Sequence, residues 1–319
     1  MKAKCKELFK VCLRKLFEWG QHLGLNILPL HFYSGIPDMR ELRKTDYWKH
    51  PRSMVAINGA DTESQLAFVR ECCSDDLIRR QKTLGVFERC CRENGEPGYG
   101  RVEADFLFCF ISSKKPRKII QIGAGLSTAV ILLAAKEAGY TPEVVCIDPF
   151  PNEFLRDAYE HRRIELIPSK TQLLEISLLT ALPDNGLLFI DSTHTVKPGS
   201  EVNYLILEVL PRLPIGSWVH FHDIYFPYDY PPNLMSTNLV FPNESVLLHA
   251  FLADNQKCAL RASLSMLHYE RPAELKEFLP NYRPSENAHG LVASEGDFPS
   301  SVYLQVVRSG NHTGLPETI

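Results

Sequence analysis

No stretch of this 319-residue chain stays apolar for the roughly 20 residues that a helix needs to cross a bilayer. Charge of one sign is lacking too. With 35 basic and 38 acidic residues the net charge is −3, which gives no global pull toward nucleic acid. The nine cysteines (5, 12, 72, 73, 90, 91, 109, 146 and 258) are odd in number, include two adjacent pairs and form no C-x-x-C. That pattern argues against a disulfide framework and a zinc site, and for a reduced, cytoplasmic setting. Charges recur through residue 18, so no apolar leader segment follows the basic start. Internal repeats and low-complexity tracts are absent. What remains is 45% apolar and long enough to bury a full core in one large domain or two.

The most informative residues lie between Lys118 and Thr128. The run Ile119-Ile120-Gln121-Ile122 stops at Gly123-Ala124-Gly125, and Leu126-Ser127-Thr128 opens an apolar, periodic segment. This predicts a buried strand, a tight turn and a helix start. Glycine lets the backbone approach a ligand with no Cβ in the way, and the helix points free N–H groups at whatever sits over the turn. A dinucleotide fingerprint, G-x-G-x-x-G, would place a third glycine where Thr128 stands. A second run, Glu143–Ile147, ends in Asp148, 23 residues beyond Gly125. That is close to the spacing of about 20 at which a carboxylate meets a ribose diol. NAD and S-adenosylmethionine both carry that ribose. The second has no pyrophosphate and does not need the tight packing that the missing glycine would allow.

Along the chain, Cys5, Leu8, Phe9, Cys12, Leu13, Leu16 and Phe17 recur at helical spacing among Lys2, Lys4, Lys6, Lys10, Arg14 and Lys15. A basic amphipathic helix of this kind packs on its own domain or a second subunit, or lies on an anionic membrane through residues 1–18. Residues 25–60 are irregular, and helical periodicity returns from 63 to 91. The turn chemistry of Asn94–Gly100 sets the expected boundary: an extension over 1–95, a main domain over 96–310 and a disordered tail over 311–319. In the main domain, strand signals at 118–123, 143–148, 163–167, 187–191 and 216–222 alternate with helix signals at 126–138, 152–161, 171–179 and 200–210. A helix at 244–255 and β-like runs at 258–269 and 301–307 follow. The expected fold is α/β: a doubly wound, Rossmann-like, seven-stranded sheet of five parallel strands plus an antiparallel edge pair.

In such sheets ligands sit beyond the carboxyl ends of the strands. The fourth strand ends in Asp191-Ser192-Thr193-His194 and the fifth in His222-Asp223. Histidine suits a general base because its ordinary pKa is near working pH. Asp191, Asp223 and His222 are candidate ligands for a divalent cation, Mg²⁺ by the logic of sparse carboxylate ligation. His220 reads as a buried packing histidine. The aromatic stretch Tyr225–Pro232 is a candidate wall over an acceptor.

The series Ile122–Thr128, Cys146-Ile147-Asp148-Pro149, Phe189–His194, Lys197–Asn203 and His222–Pro231 resembles class I S-adenosylmethionine-dependent methyltransferases. The last three blocks are similar to a bacterial branch related to small-molecule and sugar O-methyltransferases. The resemblance spans about residues 28–307. It implies cofactor contacts at Gln121, Gly123, Gly125, Ser127, Thr128, Asp148 and Asp191, with His194 as the base. Asp191 and Asp223 would be Mg²⁺ ligands, and the acceptor a small molecule. Two positions depart from the family: Gln121 stands where an acid usually lies near the methionine amino group, and His222 where relatives often have an acid. Two other functions stay open, an NAD-linked oxidoreductase and a non-catalytic scaffold at a membrane or partner. A homo-oligomer is compatible with either.

Overall fold

The computed structural model describes residues 2–231, 234, 240–287, 290–292 and 297–308. The expected tail at 311–319 lies outside them. Seven strands form one sheet: β1 (Lys118–Ile122), β2 (Glu143–Ile147), β3 (Glu165–Ile167), β4 (Leu187–Ile190), β5 (Trp218–Phe221), β6 (Cys258–Ser263) and β7 (Val302–Val306), in the order 3-2-1-4-5-7-6. β3, β2, β1, β4 and β5 run parallel. β7 slots between β5 and β6, antiparallel to both.

The strands read as continuous apolar runs because both faces of the sheet are covered. Ile119, Cys146, Phe189 and Trp218 enter one core, beneath helices Thr62–Cys72, Arg101–Lys114 and Leu126–Glu137. Their neighbours Ile120, Val145, Leu188 and Val219 enter the other, with Leu248 of helix Glu244–Leu252. Phe68 stacks on Trp218, with ring centres 5.5 Å apart, and Phe106 meets Tyr303 edge-on at 4.9 Å. Aromatic packing therefore ties the helices before β1 to the centre and the far side of the sheet.

Three expectations change. The run 258–269 is a strand only to Ser263. There the Ser263 hydroxyl caps a helix, Leu264–Glu270, by accepting from the Met266 amide; an apolar run of that length does not separate a strand from a buried helix. The helix Arg101–Lys114 is absent from the sequence reading because it is apolar almost all round, which removes the amphipathic period. The chain's two compact units divide between His50 and Pro51, not near residue 95. Gly95 does end a helix in a left-handed conformation (φ 86°), but helices on both sides of that turn bury into one core. In the first unit the basic segment forms the helix Lys2–His22. No described helix is long and apolar enough to cross a membrane. The cysteines with described side chains are all free.

Helix Arg101–Lys114 also carries a buried acid with a consequence for stability. Burial pushes the Asp105 carboxyl up to about 7, against the Asn281 amide that donates to Oδ2 at 2.8 Å; Oδ1 has no partner among the described residues. The fold therefore prefers the protonated acid. Its contribution is complete below the unfolded pKa near 4 and is lost as pH rises through 7, a change on the order of 4 kcal/mol. Urea denaturation at pH 5 and pH 8 should show Asp105→Asn removing most of that decline; equal slopes in both proteins would reject the assignment.

Candidate active site

Backbone hydrogen bonds continue the sheet one residue past the strand ends and align the site. The Gly123 amide donates to Ile147 O at 3.0 Å, Asp191 to Ile122 O at 2.8 Å, and His222 to Ile190 O at 2.9 Å. Asp148, Gly123, Asp191 and His222 thus stand side by side along one rim.

At the turn, Gly123 has φ 72°, and a Cβ there would lie 2.1 Å from the Asp191 carbonyl oxygen. The close approach of β1 to β4 requires glycine. Gln121 is buried, donating to the Ser127 hydroxyl at 2.6 Å and accepting from Thr128 Oγ1 at 2.8 Å; Thr128 Oγ1 in turn accepts from the Gly125 amide. Three of the expected cofactor contacts, Gln121, Ser127 and Thr128, therefore bond to one another and brace the turn from below. Asp148 accepts from the Ala124 amide at 3.2 Å and, through its other oxygen, from Phe150 at 2.7 Å. It is held at the turn, as the ribose reading requires, by the local amides that a loop acid would also use.

The chemistry is concentrated at the ends of β4 and β5. His194 Nε2 lies 3.4 Å from Asp191 Oδ1 and 3.6 Å from Asp223 Oδ2. His222 Nδ1 lies 3.3 Å from Asp191 Oδ1 and 3.7 Å from Asp223 Oδ2. Each ring's other nitrogen meets a glutamate: His194 Nδ1 with Glu244 Oε2 at 2.8 Å, and His222 Nε2 with Glu103 Oε2 at 2.9 Å. Glu244 and Glu103 are only 1% and 2% exposed. Glu244 also accepts from the Ser192 hydroxyl, and Glu103 from the hydroxyls of Ser300 and Ser301 and the Ser300 amide. His194 and Asp223 have φ of 57° and 53°, a left-handed backbone that such residues keep only where their surroundings enforce it.

The electrostatics follow from this enclosure. Burial works against the charged form of His194, yet hydrogen bonds to Asp191 and Glu244 and the charges of Glu244 and Asp223 push it up to about 10. His222 is also raised despite burial, by Asp223, Glu103 and Asp191. Burial would lift Asp191 and Asp223, but the two imidazoles hold both carboxyls below the usual range.

Sequence reading found Asp191, His194, His222 and Asp223, and the structure brings all four together. It separated His194 as base from His222 as ligand, whereas the two rings have the same kind of surroundings. It missed Glu103, for which local sequence carries no signal. His220 does pack, face to face with Phe189 at 4.1 Å; it shares Tyr99 with His222, since positions 220 and 222 point the same way from the strand. The loop after Asp223 is packed down: Phe226 is buried, and Arg52 grips Asp229 through Nε at 3.0 Å. A surface cavity of about 960 Å³ lies instead at the amino ends of β2 and β3, ringed by mixed charges such as Lys136, Glu143, Arg162 and Arg163. Nothing there converges.

Residues 120–224, from β1 to just past β5, match the family model of a methyltransferase domain. Over that third of the chain the sequence is similar to methyltransferase domains. An uncharacterised protein of Archaeoglobus fulgidus is 28% identical over 171 residues, 52% of this chain and 77% of that one. An SAH-bound methyltransferase of Podospora anserina covers 89% of this chain and 99% of its own at 13% identity, with a TM-score of 0.37. A methyltransferase from Geobacter sulfurreducens covers 46% and 72% at 18% identity, with a TM-score of 0.30. The matched segment contains the glycine turn, Asp148 and the four-residue cluster; Glu103 and Glu244 lie outside it on either side.

Proposed function

We propose that this domain transfers a methyl group from S-adenosylmethionine to a hydroxyl of a small polar acceptor, a sugar or glycoside by the sequence resemblance. One observation carries the reading: two histidines and two aspartates converge beside the glycine turn at the sheet rim. The sulfonium is already activated, so the chain's tasks are to hold the nucleoside, aim the methyl carbon and remove the hydroxyl proton. Gly123, Gly125 and Asp148 are assigned the first task. His194 is assigned the last in its neutral form: Glu244 fixes its Nδ1, and Nε2 faces the space shared with Asp191 and Asp223. Because those carboxylates push the ring up to about 10, the methyl-transfer rate should climb with pH across the alkaline range.

The runner-up, NAD-linked oxidoreduction, is disfavoured by the antiparallel β7 inside the sheet, since the dinucleotide order 3-2-1-4-5-6 is built from parallel strands. Gln121, which departs from the family pattern, is a turn brace here. The deciding test is calorimetry with S-adenosylhomocysteine and NADH, followed by a glycoside screen with methyl-labelled cofactor. Binding of NADH alone would overturn the proposal. Asp148→Ala should weaken S-adenosylhomocysteine by about 1–3 kcal/mol through lost hydrogen bonds to the diol and the turn; equal affinity in both proteins would remove Asp148 from the cofactor site.

A further inference from the structure

We infer that residues 7–33 form a peripheral membrane anchor, in which the open face of helix Lys2–His22 and the segment after it dock on a bilayer containing anionic lipid. The inference stands on the first compact unit alone and holds whichever reaction the second unit performs.

The helix has one covered side and one open side. Gly20 is buried because the chain folds back over it: the Leu25 amide donates to Gly20 O at 2.8 Å, and a Cβ on Gly20 would lie 3.1 Å from the Ile27 side chain. Leu13 and Phe17, on that same side by helical spacing, are half-buried. At about 100° per residue, Leu8, Phe9, Cys12, Leu16 and Trp19 fall within an arc of about 100°, and all five are exposed. An apolar stripe on a helix ordinarily faces a core. This one faces outward, which marks a surface that a partner covers. The same unit adds a second exposed set. Leu28, Leu30, Phe32 and Tyr33 are open, and the His31 ring stacks on the two aromatic rings at 4.5 and 5.1 Å.

Charge chooses the occupant. Residues 2–22 carry six basic side chains against two acids, Glu7 and Glu18, in a chain whose net charge is −3. Positive charge is therefore concentrated on the helix that carries the open stripe. Lys10 and Arg14 lie opposite the stripe, paired with Glu7 at 2.8 Å and Glu18 at 3.1 Å, and Lys15 flanks it. A second copy would bring two basic helices together with like charges unmatched. Anionic headgroups instead offset the charge, while the acyl boundary takes up the apolar side chains. Trp19 and Tyr33 are the ring types that settle at headgroup depth. No described helix is long and apolar enough to cross a bilayer, so the anchor lies in the interface.

The test sediments full-length protein with vesicles. Phosphatidylcholine containing about 30% phosphatidylserine should bind it at least about tenfold more tightly than phosphatidylcholine alone, and the protein should come off as salt rises from about 0.1 to about 0.5 M. Leu16→Gln with Trp19→Gln, at a wild-type circular dichroism spectrum, should bind at least about tenfold more weakly, as should the triple change Lys10→Gln, Arg14→Gln and Lys15→Gln. Should the polar variants unfold the helix, Trp19→Phe keeps the stripe apolar. Brominated lipid should quench wild-type fluorescence, and Trp19→Phe, still bound, should lose most of that quenching. No binding to anionic vesicles, equal binding to phosphatidylcholine alone, unchanged binding in the folded double variant, or unchanged quenching in Trp19→Phe would each overturn the inference. So would a concentration-dependent dimer in the ultracentrifuge that Leu16→Gln with Trp19→Gln makes monomeric, since a second copy would then cover the stripe.

Discussion

Replacing His194 with alanine is expected to lower kcat for methyl transfer by about 10²–10⁴-fold while leaving S-adenosylhomocysteine affinity within about threefold. The range is that of a positioned proton acceptor. The neutral effect on binding follows from where the ring points: its two nitrogens face Glu244 on one side and Asp191 with Asp223 on the other, and the glycine turn on neither. Glu244→Gln keeps the shape and a hydrogen bond but removes the charge behind the ring, so a smaller loss of about tenfold is expected. Single-turnover rates beside calorimetry separate the two effects. Unchanged turnover in His194→Ala would remove this residue from the mechanism.

The second large effect is expected at Gly123. Alanine there must adopt φ 72° and place its Cβ 2.1 Å from the carbonyl oxygen of Asp191. The left-handed backbone alone costs roughly 1–2 kcal/mol, and the contact cannot be relieved by rotating a side chain because its partner is backbone. Either β1 or the end of β4 has to shift, and Asp191 moves with it. A displacement near 1 Å in such a site costs on the order of 10²-fold in rate. The expected outcome is a total destabilisation of about 3 kcal/mol or more, together with loss of S-adenosylhomocysteine binding. Thermal unfolding and calorimetry check both, and a variant with wild-type values in each would mean that the turn has room that the structure denies it.

The sheet was legible because each of its strands is a short apolar run closed by a turn or an acid, and β1, β2, β4 and β5 end within a residue or so of where the sequence puts them. The four-residue cluster was legible for a related reason: strand ends are local features, and Asp191-x-x-His194 and His222-Asp223 are adjacent in sequence. What lay behind the cluster was not. Glu103 meets His222 across 119 residues and Glu244 meets His194 across 50, and a single sequence carries no record of such pairings. The likeness of the surroundings of His194 and His222 was hidden for the same cause, since neither glutamate lies near its ring in sequence. Segments with mixed geometry were the other casualty: 200–210 passes from an α-turn through a π-turn at Leu205–Val209 into a 3₁₀ turn at Leu210–Arg212, where Pro211 withdraws an amide.

The position of β7 also sets an order of events during synthesis. This strand pairs with β5 along the whole length of β5, and the serines just ahead of it supply three of the hydrogen bonds that hold Glu103 against His222. A nascent chain that has left the ribosome only as far as β6 has β5 open on one side and Glu103 without those donors. Its aspartates and histidines are already made, but Glu103 gains those donors only once residues 300–301 have emerged.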